Sequence, residues 1–220
     1  FDMSLKPLKL YGSLHPPNPP KVAFILCELS LPYEVVNIPR EEIKGPFLTS
    51  FNPNGRVPVL VDPNNDDFTI WESGAIMNYL VSQYDTEHKI SFPYGTKEYH
   101  LTQQYLHFQM SGQGPYYGQW SWFNFYHSEK IPGVIERYSN EAKRVSQILE
   151  KCLEGKEFLM GDKCTFADLA FYPWQWFIMS EGVALEEDVP NVHRWMQRMS
   201  NRPSVIKVFK DREAYAPAKA

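Results

Sequence analysis

At 220 residues the chain is longer than one typical domain of about 100–150 residues and suits two modest ones. Hydrophobic residues make up 43% of it and charged residues 22%, which excludes a disordered or fibrous chain. The net charge of -4, without any dense Lys/Arg block, removes the electrostatic footprint of nucleic-acid or anionic-membrane binding, and neither is an expected partner. No apolar stretch approaches the roughly 20 residues of a membrane span. The start FDMSLKPLKL has no signal-peptide apolar region, so a cytoplasmic protein is expected. Cys27, Cys152 and Cys164 lie far from any CxxC or metal spacing. They read as reduced structural residues, Cys27 as a small buried hydrophobe, and no metal site is expected.

Taken in chain order, Leu8 to Tyr11 reads as a short strand, and after the break HPPNPP the segment KVAFILCEL has helical length and apolar density. Tyr33 to Ile38, rich in β-branched residues, reads as a second strand, and the βαβ order implies parallel pairing. A charged, irregular stretch follows and ends in NPNGR. Val57 to Val61 and Phe68 to Trp71 form a hairpin about DPNNDD. From Ser73 the run AIMNYLVSQY has helical spacing. The order β-α-β-irregular-β-β-α over residues 1–85 predicts an α/β, thioredoxin-like domain with a mixed four-stranded sheet.

Residues 86–96, with Pro93 and Gly95, read as a linker. Residues 97–220 read as an all-α domain, with helices near 97–125, 130–154, 166–179, 189–200 and 203–211. Thr165-Phe-Ala-Asp168 resembles a capping box with Asp in place of Glu, which starts a helix there. Within the first long helix, SGQGPYYG carries Gly and Pro, at about 1 and 3 kcal/mol relative to Ala, so that helix must bend or break.

Asn52-Pro-Asn-Gly-Arg-Val-Pro58 leads straight into a strand, where a proline cannot donate to the ladder. In thioredoxin-like domains the equivalent proline is cis, and the residue before it, here Val57, presents its backbone to a bound peptide. In Trp71-Glu72-Ser73-Gly-Ala-Ile a strand runs directly into a helix start, whose N–H groups and dipole suit a carboxylate. Ser73 adds a hydroxyl and Glu72 an opposite charge, so one turn suits the carboxylate and ammonium of an amino-acid head, as at the γ-glutamyl end of glutathione. Read alone, Ser73 is an ordinary N-cap.

NPNGRVPVLVD, IWESGAI and the later GDKCTFADLAFYPW together resemble the glutathione S-transferase family over nearly the whole chain. PPNPPKVAFILCEL, FQMSGQGPYYGQ, HSEKIP and IERY resemble more narrowly its fungal branch near the yeast nitrogen-regulatory prion protein, with the bacterial nu class. The resemblance implies a transferase that joins the glutathione thiolate to an apolar electrophile, a detoxification chemistry. It also implies glutathione as co-substrate, no metal, and a homodimer.

In that branch an asparagine at the start of the first helix faces the thiol, and Asn18 stands in the matching position. Asn18 can also cap the helix that begins with Pro19, accepting from the Lys21 N–H. Ser13 ranks second for the thiol contact and Tyr11 third, while no cysteine occupies that loop. The resemblance assigns Arg56, Val57 and Pro58 to the cysteinyl-glycine part and Glu72 with Ser73 to the γ-glutamyl end. The family often has Gln or His where Ile43 stands here, and the neighbouring Lys44 is the candidate for the glycyl carboxylate. Arg137 is a candidate for reaching glutathione across a dimer interface.

The electrophile is expected between the domains, near the bent helix, with Tyr116, Tyr117, Trp120, Phe123, Trp174 and Trp176 as candidate lining. About two of the six are expected to touch substrate, since aromatics at helical spacing are more often core. One alternative is a glutathione-dependent disulfide reductase or peroxidase using the same residues. Another is a non-enzymatic glutathione-binding regulator, which the absence of an Asn/Gln-rich tract in this sequence disfavours.

Overall fold

Along Leu8–Tyr11 (β1) the side chains of Leu8 and Leu10 are buried on one side of a sheet and Tyr11 on the other, with Lys9 exposed. Strand β1 is central. It pairs in parallel with Tyr33–Val36 (β2) and antiparallel with Val59–Asp62 (β3), which in turn pairs antiparallel with Phe68–Trp71 (β4). The order is β2-β1-β3-β4, the mixed four-stranded sheet expected. The register sets Leu10 opposite Leu60 and Tyr11 opposite Val59, so Leu60 shares the first face and Val59 and Val61 the second. The hairpin turns at DPNNDD, where Asp66 and Asp67 adopt left-handed φ values of 50° and 53°. Acidic and amide residues tolerate that conformation best after glycine.

The computed structural model describes residues 5–182 and 189–214. FDMS at the start, residues 183–188 and residues 215–220, the latter two inside the span expected to be helical, lie outside the described residues. The chain divides into two compact units: Phe1–Ile90 with Asn201–Ala220, and Ser91–Ser200.

In the first unit, helices Asn18–Glu28 (α1) and Ser73–Tyr84 (α3) pack on each other, and a short helix, Pro46–Phe51 (α2), contributes Leu48 to a cluster with Tyr11, Ile38, Val59 and Val61. Helix α2 and the 3₁₀ turn Arg40–Glu42 occupy the stretch that the sequence marks only as irregular. Six residues with one buried side chain are too few to show a helical period.

The last helix belongs to this unit too. The carboxylate of Glu28 accepts from Arg202 Nε and Nη2, both at 2.9 Å, and from Ser204 Oγ at 2.5 Å, while Phe24 stacks on Phe209. Burial pushes the Glu28 carboxyl up, but the bonds from Arg202 and Ser204 outweigh it and hold it below the ordinary range. These contacts tie Pro203–Ala214 to α1, although contiguity placed it in the 97–220 domain.

The second unit comprises helices α4 (Lys97–Phe108), α5 (Gly114–Ser121), α6 (Pro132–Cys152), α7 (Phe166–Ser180) and α8 (Pro190–Ser200), so the helix in the first unit is α9. Between α4 and α5 the chain stays helical but widens into a π turn, Gln109–Gln113, closed by Gly114 N–H to Gln109 C=O. That is how SGQGPYYG accommodates Gly114 and Pro115. The expected defect is a local widening and not a helix end.

Candidate functional site

Three segments of the first unit converge at Gly12, the residue after β1. Its φ is +134°, and a methyl group built there would stand 2.9 Å from Val57 Cβ and 3.3 Å from Pro19 Cγ. Only glycine allows the end of β1, the start of α1 and the loop before β3 to meet this closely. Gly12→Ala is expected to cost about 2–4 kcal/mol, from strained φ plus overpacking, read as a lowered urea midpoint with loss of retention on immobilised glutathione. Wild-type stability in that variant would remove Gly12 from this role.

The loop before β3 is held by Asn52, whose Nδ2 donates to Arg56 C=O at 2.8 Å and whose Oδ1 accepts from Asn54 N–H at 3.0 Å. Gly55, at φ +56°, closes the turn by donating to Asn52 C=O. The chain then delivers an exposed Arg56, a half-buried Val57 and a cis peptide to Pro58. The cis geometry is as expected. Lys44 reaches the same loop, its Nζ donating to Asn54 C=O at 3.0 Å. Ile43 instead packs with Val57 against the Tyr11 and Leu48 cluster, so it supplies no polar contact.

At the other side of the site, Glu72 stands before α3 with φ 73° and ψ 116°, and its C=O accepts from Ile76 N–H. A glutamate in that conformation carries strain of order 1–3 kcal/mol, of the kind concentrated at ligand clamps. Glu72, and not Ser73, occupies the N-cap position; Ser73 is the first helical residue and is 3% exposed. Two features, one at the start of α1 and one at the end of β1, depart from expectation. The helix begins at Asn18, one residue before the expected start, with Pro17 in the cap position. Tyr11 is packed under α2, stacked on Phe51 at 5.1 Å, which makes it a core residue. Ser13 is half-buried, and its Oγ accepts from His15 N–H at 3.2 Å.

Lys21, one turn into α1, was not among the expected residues. It is 1% exposed, and its Nζ donates to Ser73 Oγ at 3.3 Å. Burial pushes its pKa down to about 7, against the opposing pull of Glu72. The sequence signal was a lysine inside PPKVAFILCEL, where helical spacing gives it a buried face. Among these residues Arg56, Lys44 and Lys21 are basic and Glu72 is acidic.

The second unit places the six aromatic candidates differently from one another. Tyr117 is fully buried, its hydroxyl bonded to Ser146 at 2.7 Å and Gln175 at 3.0 Å, and burial pushes the phenol well up. It is a core residue tied into a polar network, not a lining residue. Trp120 and Trp174 are also buried; Trp120 Nε1 donates to Ser139 at 3.1 Å. Tyr116, under Arg144, Phe123, stacked on Tyr138, and Trp176 are half-buried. Trp122, Phe125 and Tyr126, in the π turn Trp122–Tyr126, are exposed. Arg137 is exposed on α6. Among the described residues no group of three His, Cys, Asp or Glu could hold a metal, and no helix is long and apolar enough to cross a membrane.

Comparison with known proteins agrees with this fold. The glutathione S-transferase N-terminal domain matches residues 6–82 and the glutathione S-transferase C-terminal domain matches residues 119–203, so the chain belongs to the glutathione S-transferase family. Its relatives are those of the fungal branch. It is 48% identical to the glutathione S-transferase-like protein tpcF of Aspergillus fumigatus, across 94% of this chain and 96% of that protein. It is 34% identical to Protein URE2 of Meyerozyma guilliermondii, across 91% of this chain and 79% of that protein. The crystal structure of the glutathione transferase URE2P6 from Phanerochaete chrysosporium, in complex with oxidized glutathione, matches with a TM-score of 0.92 and 43% identity, covering 96% of this chain and 98% of that one.

Proposed function

We propose that the first unit binds glutathione and lowers the pKa of its thiol, and that the chain transfers the thiolate to small apolar electrophiles. The observation that carries this reading is the meeting, at Gly12, of the α1 start with the Val57–Pro58 cis peptide, in a unit whose α3 start offers Ser73 and Glu72. The ligand's γ-glutamyl carboxylate and ammonium lie at Ser73 and Glu72, and the cysteinyl backbone lies along Val57. Arg56 and Lys44 take the glycyl carboxylate.

Asn18, at the first position of α1, donates its side-chain amide to the sulfur, supported by the helix dipole. Pro19 and Pro20 lack backbone donors, so the amide of Asn18 carries more of this stabilisation. The half-buried Tyr116, Phe123 and Trp176 are the lining candidates for the electrophile, and Arg137 acts from a partner copy in a cytoplasmic homodimer. These last assignments rest on the family resemblance.

Asn18→Ala tests the mechanism. A free thiol of pKa about 8.5 is only ~3% thiolate at pH 7, and a two-unit shift, about 2.7 kcal/mol, makes thiolate dominant. Conjugation of a chlorinated nitrobenzene at pH 7 should therefore fall roughly tenfold or more, with the ionisation in the pH–rate profile moving up toward that of the free thiol. Unchanged turnover removes Asn18 from the thiol. A second reading, glutathione-dependent disulfide reduction, is favoured by the oxidized glutathione held by the relative from Phanerochaete chrysosporium. Brisk reduction of a small disulfide with negligible conjugation, measured side by side, selects it. Retention on glutathione without either activity selects a regulatory binder.

A further inference from the structure

A buried set of hydrogen bonds inside the second unit is not used by the function proposed above. Gln109, Gln113, Tyr117, Ser146 and Gln175 are each 0% exposed, so their polar atoms rely on partners within the protein. Tyr117 O–H donates to Gln175 Oε1 at 3.0 Å, nearer than its other acceptor, Ala142 C=O at 3.4 Å. Gln175 Nε2 donates to Ser146 Oγ at 3.1 Å, and the Ser146 O–H then points back to the Tyr117 oxygen at 2.7 Å. Each hydroxyl gives one proton and takes one, and the ring so formed joins α5, α6 and α7.

Into this ring runs a chain of amides from the π turn. Gln109 Nε2 donates to Gln113 Oε1 at 3.1 Å, and Gln113 Nε2 donates to Gln175 Oε1 at 3.2 Å. Gln109 and Gln113 are the first and last residues of that turn, so side chains brace the same residues that the backbone bond to Gln109 C=O closes. One residue inserted into a helix turns everything after it by about 100°. The π turn therefore decides the side on which α5 presents Tyr116 and, further on, the side on which Phe123 falls. Helices α5 and α7 leave little room for error. A methyl group built on Gly114 would stand 3.7 Å from Trp174 Nε1, and one built on Gly118 would stand 3.5 Å from Trp174 Cη2.

Resting on the transferase reading, in which Tyr116, Phe123 and Trp176 line the electrophile site, we propose that Gln113 is a positioning residue for the electrophile. It ties the π turn to α7 through Gln175, the chain neighbour of Trp176, and so holds the three aromatic residues in one arrangement. The ring of Tyr117, Gln175 and Ser146 secures the packing of three helices, whereas the amide chain sets the shape of the aromatic lining. Apart from Arg137, the residues assigned to glutathione belong to the first unit, so glutathione binding does not depend on Gln113.

Gln113→Met, similar in length and without hydrogen-bonding groups, cuts the amide chain and leaves the ring whole. Gln109→Met cuts the same chain at its other link, so the test does not hang on one variant. Ser146→Ala opens the ring and spares the chain. The readouts are urea midpoints and steady-state conjugation of a chlorinated nitrobenzene, each substrate varied with the other saturating. In both glutamine variants KM for the electrophile should rise roughly fivefold or more while KM for glutathione stays at the wild-type value. Ser146→Ala should lower the urea midpoint and leave both KM values unchanged. A wild-type electrophile KM in the glutamine variants, a rise of both KM values together, or an equal rise in Ser146→Ala overturns this inference and leaves the glutathione reading standing. Failure of the wild type to conjugate overturns the transferase reading and this inference with it.

Discussion

Replacing Asp168 with alanine is expected to destabilise the protein by about 3–5 kcal/mol, the largest single effect of any substitution considered. The carboxylate is fully buried and serves four donors at once. Oδ2 accepts from Thr165 N–H at 2.9 Å and Thr165 Oγ1 at 3.1 Å; Oδ1 accepts from Leu159 N–H at 2.9 Å and Trp195 Nε1 at 3.0 Å. Those bonds join the start of α7 to the 158–163 turn and to the largest buried side chain of α8. Burial raises the carboxyl's pKa in spite of them. Truncation would leave several buried donors unpaired, each worth about 1–3 kcal/mol. Chemical unfolding followed by tryptophan fluorescence should show the loss, and a fall under 1 kcal/mol would mean that water or a neighbour replaces the carboxylate.

The second large effect has the opposite sign. Lys21→Met should make the ligand-free protein more stable, by roughly 2–4 kcal/mol at pH 6.5. In the folded chain Lys21 has a pKa of about 7, against an ordinary 10.5. Between those values the unfolded chain holds a proton that the folded one does not, so wild-type stability rises with pH across that window, by up to about 1.4 kcal/mol per unit. Below pH 7 both states hold it, and the full cost of the buried ammonium remains. Methionine lacks that cost, so the gap between variant and wild type should narrow by pH 9.5. Urea midpoints at the two pH values test this, and a gap independent of pH would refute it.

Much of the architecture was legible because it is written in short-range patterns. β-branched alternation marked the strands, DPNNDD marked the hairpin turn, and Thr165 with Asp168 marked the start of α7. Asn52, Gly55 and Pro58 announced a constrained loop, because amide, glycine and proline each do one thing that other residues do poorly. Glu72 and Ser73 followed from a strand that runs into a helix without a linker.

What the sequence could not supply was which distant groups share a volume. Tyr11 lies in the same β1 segment whether it faces a thiol or a core. The pairing register with Val59 decided for the core, with α2 closing over it. Tyr117 sits among aromatics of similar spacing, yet packing sank it beside Ser146 and Gln175, residues 29 and 58 positions away. Lys21 stands in an apolar helical run, but only α3 laid on α1 sets its ammonium against Ser73, 52 residues on. Helix α9 looked like a continuation of the helical half until Glu28 drew Arg202 back across 174 residues. By itself the sequence determined the order of the strands and the longer helices, the family and the loop chemistry at Asn52–Pro58, since those rest on neighbours in the chain. Burial, charge state and partnership at Tyr11, Lys21, Tyr117 and Glu28 came from the tertiary structure alone, because desolvation depends on what packs across the gap and not on what comes next.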